Sequence, residues 1–223
     1  QVFRGVELFP VALTGEGDTG TPGVGVLRSM DGGRTWNVLD STNNTDSPTI
    51  GSGVLTSISS PTRDRGLFGV TGFKVVVDPT AVNNADKDVI VYIATGSGVW
   101  RSTDRGATFR RTGFPDANKQ VWCFLVDSRD PKRIFAGASP IDVYRNDDDG
   151  ANWRKLATPV IGTHCTGPFA ARVMRLAQNS KRPNEIYAAL EINGVMRSTD
   201  GGETWEDCSA GLIKLAELPH LKS

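Results

Sequence analysis

The chain has 223 residues, enough to bury a core as one all-β domain or two smaller ones. Lysine plus arginine and aspartate plus glutamate each number 25, so no bulk field draws the chain to nucleic acid or an anionic membrane. No run approaches the roughly 18–20 apolar residues of a membrane-spanning helix. Instead, 25 glycines and 12 prolines punctuate short apolar stretches, the composition of many short strands joined by tight turns.

The chain begins at Gln1 without a methionine, which implies a removed leader or an upstream region. A first repeat unit, incomplete over about 4–39, ends in "RSMDGGRTW" (28–36). Residues 40–71 follow, rich in Ser, Thr, Gly and Asn, and carry a sequon at Asn43-Asn44-Thr45 that matters only in a glycosylating secretory pathway. A second unit, about 72–112, runs from "KVVVDP" through "VYIATGSGVW" to "RSTDRGATF". The third, about 120–156, runs from "FLVDSRDP" through "IFAGASPIDVY" to "RNDDDGANW". The fourth, about 171–208, runs from "RLAQNSKRP" through "IYAALEINGVM" to "RSTDGGETW". Residues 209–223, with "LIKLAEL", read as the start of a further unit or as a closing strand.

The four nine-residue stretches share one pattern, Arg-Ser/Asn-x-Asp-x-Gly-x-Thr/Asn-aromatic. Their aspartates, Asp31, Asp104, Asp148 and Asp200, are 73, 44 and 52 residues apart, and each complete unit carries about four short β-type runs. The pattern is that of a hairpin tip. Aspartate accepts hydrogen bonds from nearby backbone N–H groups, and the Ser, Thr or Asn side chains add local bonds. Gly33, Gly106, Gly150 and Gly202 supply a position where φ can be positive. Trp36, Phe109, Trp153 and Trp205 anchor the return strand. A calcium loop needs a further spaced set of oxygen ligands and a distal glutamate, so the triple aspartate 147–149 reads as a turn rather than a metal site.

These stretches resemble the Asp-box, or bacterial neuraminidase repeat, of β-propellers such as sialidases, xyloglucanases and sortilin-type receptors. The flanks "THCTGPFAARVMRLA" and "YAALEINGVMRSTDGGETWEDCSAGL" resemble bacterial propellers described as glycosyl-hydrolase-like. The resemblance implies an all-β β-propeller of four-stranded antiparallel blades with Asp-box hairpins. Three complete blades and part of a fourth are fewer than the six or more usual for such propellers. Either the chain is part of a larger propeller, the favoured reading, or 212–218 closes a four-bladed ring.

Antiparallel pairing puts the Asp-boxes, all between third and fourth strands, at one end of the blades. The other end receives 13–23, 95–98, 137–142 and 190–194 between second and third strands, and 40–71, 113–120 and 158–170 between blades. In the propeller enzymes that the chain resembles this end carries the active site, so the resemblance implies a ligand face there, with Glu16, Asp18, Asp116, Trp122, His164 and Glu191 on it. A glycosidase needs two carboxyl groups across the scissile bond. Asp142 and Glu191, in corresponding turns of neighbouring units, are the least arbitrary pair, although most loop acids are simply solvated. Asp46 and Asp64 add further acids. No Arg-Ile-Pro segment matches sialidases, Tyr92, Tyr144 and Tyr187 fall within strands, and no Asp-Ile-Gly-Gly stretch matches xyloglucanases.

His164 beside Cys165 looks chemical, but adjacent residues of an extended segment point apart. Cys123, Cys165 and Cys208 fit no zinc spacing, and His220 has no placeable partners, so no metal and no cofactor is expected. Arg28, Arg101, Arg145 and Arg197, just before the boxes, read as structural rather than as an anion track. The leading function is a non-catalytic propeller scaffold or recognition module, leaning extracytoplasmic or secreted. It would bind a protein or glycan through the face opposite the boxes, with no nucleic acid, no membrane span, and possibly further blades from the same or another chain. A glycoside hydrolase or lyase, sialidase-like or xyloglucanase-like, is the alternative.

Overall fold

The computed structural model describes residues 26–29, 31–35, 37–38, 72–77, 89–106, 108–116, 119–159, 170–211 and 214. Two compact units divide the chain, Gln1–Asn118 and Lys119–Ser223. The regular structure of the described residues is almost entirely β-strand. In the first unit, β1 (Leu27–Arg28) pairs with β2 (Asn37–Val38), and β3 (Gly72–Val77), β4 (Val91–Thr95), β5 (Gly98–Ser102) and β6 (Arg110–Arg111) form a sheet in that order. In the second unit, β7 (Gln120–Val126), β8 (Ile134–Ser139), β9 (Asp142–Asn146) and β10 (Trp153–Lys155) form one sheet. Strands β11 (Val173–Asn179), β12 (Arg182–Leu190), β13 (Gly194–Ser198) and β14 (Glu206–Asp207) form another. Among the described residues every pairing is antiparallel and between sequence neighbours.

The middle strands β4 and β8 are buried on both faces, which explains their near-continuous apolar character. Val91–Thr95 is buried throughout, and so is Ile134–Ala138. In the first unit Val26, Val91, Ile93, Trp100 and Phe109 form one apolar cluster. In the second, Phe135, Val143, Cys123 and Leu156 of the β7–β10 region pack on Val173, Leu176, Ile186, Ala188, Leu190 and Met196 of the β11–β14 sheet. Each fully buried aliphatic or aromatic side chain there contributes about 1.5–3 kcal/mol, so this seam dominates the cohesion of the two sheets. Gly137 sets their spacing: a Cβ at that position would lie 2.6 Å from Cys123 Sγ and 2.7 Å from Val173 Cγ1. Cys123 and Cys208 are free thiols.

The four acidic turns join β1 to β2, β5 to β6, β9 to β10 and β13 to β14, and they close by the same bonds. Ser198 Oγ donates to Asp200 Oδ1 (2.8 Å) and accepts from Gly202 N (2.8 Å). Asp200 in turn accepts from Thr204 N (2.9 Å) and Thr204 Oγ1 (2.6 Å). Ser29, Asp31, Gly33 and Thr35 repeat this, as do Ser102, Asp104, Gly106 and Thr108. In the third turn Asn146 stands for serine and Asn152 for threonine, with the same connections to Asp148 and Gly150. Hydrogen bonds from Thr35 lead in lowering the Asp31 carboxyl to about 2, and those from Thr204 do the same for Asp200.

Two features differ from the sequence reading. The position before each conserved glycine is not freely variable, because it too is left-handed: Gly32 (φ 75°), Arg105 (62°), Asp149 (57°) and Gly201 (79°). The loop expected over 137–142 is shorter, since Gly137–Ser139 complete β8 and Asp142 opens β9. Ala210, Gly211 and Lys214 are helical; Trp36, residues 212–213 and 215–223, and the segments 1–25 and 40–71 lie outside the described residues.

The turns also lean on the preceding sheet. Arg28 Nη1 donates to Arg105 O (3.0 Å) within the first unit. Within the second, Glu203 receives Arg145 and Arg154, and Trp205 Nε1 donates to Ala157 O (3.0 Å). Exposed ion pairs of this kind are worth about 0–1 kcal/mol each, so they set register more than they hold the sheets together.

Two outcomes follow from the turn geometry. Gly201→Ala meets open space and costs only the left-handed backbone, about 1 kcal/mol. Gly202→Ala, at φ +92°, also drives its Cβ to 2.6 Å from Leu156 Cδ1 and costs roughly 1–2 kcal/mol more; urea midpoints of the two variants order them. For Asp31 and Asp200 the folded pKa is depressed below 3.8, so their contribution is present above that value and lost as pH falls towards 2. Asp200→Asn should therefore flatten the acid limb of a stability-against-pH curve between about pH 5 and 2.

Candidate functional site

Antiparallel pairing carries the β8–β9 and β12–β13 turns, and the segments entering β7 and β11, to the end of the second unit away from its acidic turns. Two side-chain clusters form there. Asp142, the first residue of β9, pairs with Ala138 and is only 7% exposed. Lys119 Nζ donates to its Oδ2 (2.6 Å); Lys155 Nζ (2.7 Å) and Thr158 Oγ1 (2.9 Å) donate to Oδ1. Burial raises the pKa of this carboxyl, but the donors from Lys119, Lys155 and Thr158 outweigh it and hold it below the ordinary value. It has no proton to give, and both oxygens are engaged. Asp142 is a clamp among the segment before β7, β9, β10 and the stretch after β10, rather than the solvated loop acid expected.

Glu191, just past β12, accepts from Arg172 Nε at Oε2 (2.6 Å), and its own backbone N donates to Arg172 O (3.0 Å). The Arg172 guanidinium lies over Trp122, 4.0 Å from the ring centroid, a cation–π contact. Trp122 Nε1 donates to Gln120 Oε1 (3.3 Å). Trp122 is half-buried beneath Arg172. Glu191, Arg172 and Trp122 thus form one stack across the two sheets.

Arg172, Lys119 and Lys155 were not singled out from sequence. The signal for Arg172 lay in the repeat itself. Counted from the turn aspartates and the strand register, Arg172 and Glu191 correspond to Gln120 and Ser139 of the preceding sheet. Where the acidic turns keep their chemistry in every copy, this pair departs from it. The same count matches Asp142 to Gly194, so Asp142 and Glu191 occupy corresponding turns but not equivalent positions.

Asp116 is exposed after β6 in the first unit. Glu16, Asp18, His164, Asp46, Asp64, Cys165 and His220 lie outside the described residues. Among the described residues no group of three or more His, Cys, Asp or Glu side chains could hold a metal ion, and each turn aspartate is satisfied inside its own hairpin. The arginines before the turns are engaged as well. Arg101 Nε donates to Tyr92 OH (3.2 Å), Arg145 pairs with Asp147 (2.8 Å), and Arg197 pairs with Glu206 (3.1 Å). Tyr187 donates to Glu185, and that bond pushes its pKa up, away from a nucleophilic phenolate. No helix among the described residues is long and apolar enough to cross a membrane.

No family model matches the chain. A xyloglucanase from Paenibacillus sp is 29% identical over 162 residues, 58% of this chain and 16% of that enzyme. Among solved structures, an ancestral GH74 enzyme aligns with a TM-score of 0.56 at 17% identity over 82% of this chain and 22% of its own. The GH74 xyloglucanase from Xanthomonas campestris aligns at 0.55 and 16% identity over 90% of this chain and 30% of its own. A Niastella koreensis GH74 enzyme aligns at 0.53 and 21% identity, over 82% and 26%. The chain therefore spans less than a third of each relative's length. The likeness, with the four-stranded meanders, shows a β-propeller fold.

The clamp at Asp142 has a measurable consequence. Asp142→Asn turns an amide N–H towards cations and leaves Lys119, whose side chain is 11% exposed, without its counter-charge; the expected loss is roughly 1–3 kcal/mol. Lys155→Ala removes a half-exposed partner and should cost less than about 1 kcal/mol. Chemical denaturation of both variants checks the order.

Proposed function

We propose that this chain forms blades of a glycan-recognition propeller, with its ligand face at the end away from the acidic turns, and that the turns are Asp-boxes of the neuraminidase-repeat kind. One observation carries the non-catalytic reading. Asp142 and Glu191, the carboxylates best placed by sequence to flank a glycosidic bond, are both neutralised by basic partners, and Asp142 is held ionised. Glycosidase chemistry in the usual two-carboxylate form requires one acid with a raised pKa. The xyloglucanase relative favours a polysaccharide over a protein as the ligand class. Trp122 and Glu191 belong to the proposed face, with Asp116, Glu16, Asp18 and His164 as its further proposed members. A polysaccharide ligand also suits an extracytoplasmic setting, and further blades, from the same or another chain, are proposed neighbours.

A second reading, a glycoside hydrolase, is favoured by the same relative. A screen of soluble polysaccharides, xyloglucan and sialosides included, scored both for retention and for released reducing ends, separates the two. The recognition reading expects retention without turnover, and reduced retention by Glu191→Gln at an unchanged melting temperature. Reducing-end release that disappears in Asp142→Asn or Glu191→Gln would establish the hydrolase instead.

A further inference from the structure

We infer that Arg172 is a preorganised receptor for a carboxylate, and that the glycan recognised on this face carries uronic acid residues. The inference rests on the glycan-recognition reading above. Arg172 is held on two sides, by Glu191 at Nε and by the face of Trp122 beneath the guanidinium plane. Among the described residues its terminal nitrogens, Nη1 and Nη2, have no partner, and neither is buried. A guanidinium fixed at Nε presents these two N–H groups as a fork that matches the two oxygens of a carboxylate. With its rotamers already restricted by the stack, the side chain loses little further freedom on binding.

Three considerations favour a charged sugar over a neutral one. The guanidinium covers one face of Trp122, so that face is not offered to the C–H groups of a neutral ring. Lys119 and Lys155 flank Asp142 at the same end, leaving one positive charge in excess in that cluster. And the Arg172–Glu191 pair is absent from the repeat pattern, with Gln120 and Ser139 at the equivalent places. A pair needed to hold every blade together would recur, as the acidic turns do.

The test is calorimetric titration of the 223-residue chain with oligogalacturonate, with the methyl ester of the same oligomer, and with a neutral xyloglucan oligosaccharide. Binding of the acid form, weakened by salt and by methyl esterification, is the expected result. Arg172→Gln should weaken it by roughly ten- to hundredfold. Arg172→Lys, which keeps the charge without the fork, should restore only part, and melting curves of both variants check that the fold survives. If neither the acid form nor its ester binds, or if both bind equally, the inference is wrong. Tight binding of the neutral oligosaccharide alone, unaffected by Arg172→Gln, would also overturn it while leaving glycan recognition standing. Failure of all three sugars would remove both readings, and capture of a polyglutamate peptide in place of the acid sugar would replace the glycan with a protein ligand.

Discussion

The structure depends on one local constraint: an aspartate carboxylate closed inside its own hairpin. Asp200 receives bonds from Ser198 and Thr204, while Ser198 Oγ also satisfies the amide of Gly202. A tight turn of this length leaves several backbone N–H groups without strand partners, and leaving them unmade would be costly. The side chains supply those partners within a span of four residues. Substitution of asparagine at both flanking positions in the third turn preserves the connections, so hydrogen-bonding capacity matters there rather than residue identity.

This closure has a consequence for function. A carboxylate whose oxygens are already filled, with its pKa pulled down by its own turn, is poorly suited to bind a metal or move a proton. Charge density in "NDDDGANW" therefore belongs to architecture: Asp148 closes the turn, Asp147 pairs with Arg133 and Arg145, and Asp149 takes a left-handed backbone. At the other end of the strands the copies of the repeat diverge, with Arg172 and Glu191 where the preceding sheet has Gln120 and Ser139. There the second unit carries a saturated clamp at Asp142 and, as a separate cluster, Arg172, whose Nη1 and Nη2 have no partner among the described residues.

Cohesion and recognition are also separated by magnitude. The apolar seam through Phe135, Val143, Ile186 and Met196 supplies far more than the exposed ion pairs of Glu203, whose individual worth is about 0–1 kcal/mol. Gly137 shows the complementary demand in the seam, where any side chain would strike Cys123 and Val173.

The sequence by itself determined the all-β class, because the turn motif acts through bonds between residues two to four apart and the short apolar runs between turns are equally local. Four copies of one short pattern sufficed to identify antiparallel meanders and to put the acidic turns between third and fourth strands. It did not reveal that the residue before each turn glycine is left-handed, since Arg105 and Asp149 carry no mark of that conformation. Only the tertiary structure decided what the candidate acids meet. Lys119 reaches Asp142 across 23 residues, and Arg172 reaches Trp122 from the neighbouring sheet. Such partners are set by which sheets pack together and in what register, and the pKa of a carboxylate follows from the partners it is given rather than from its place in the chain.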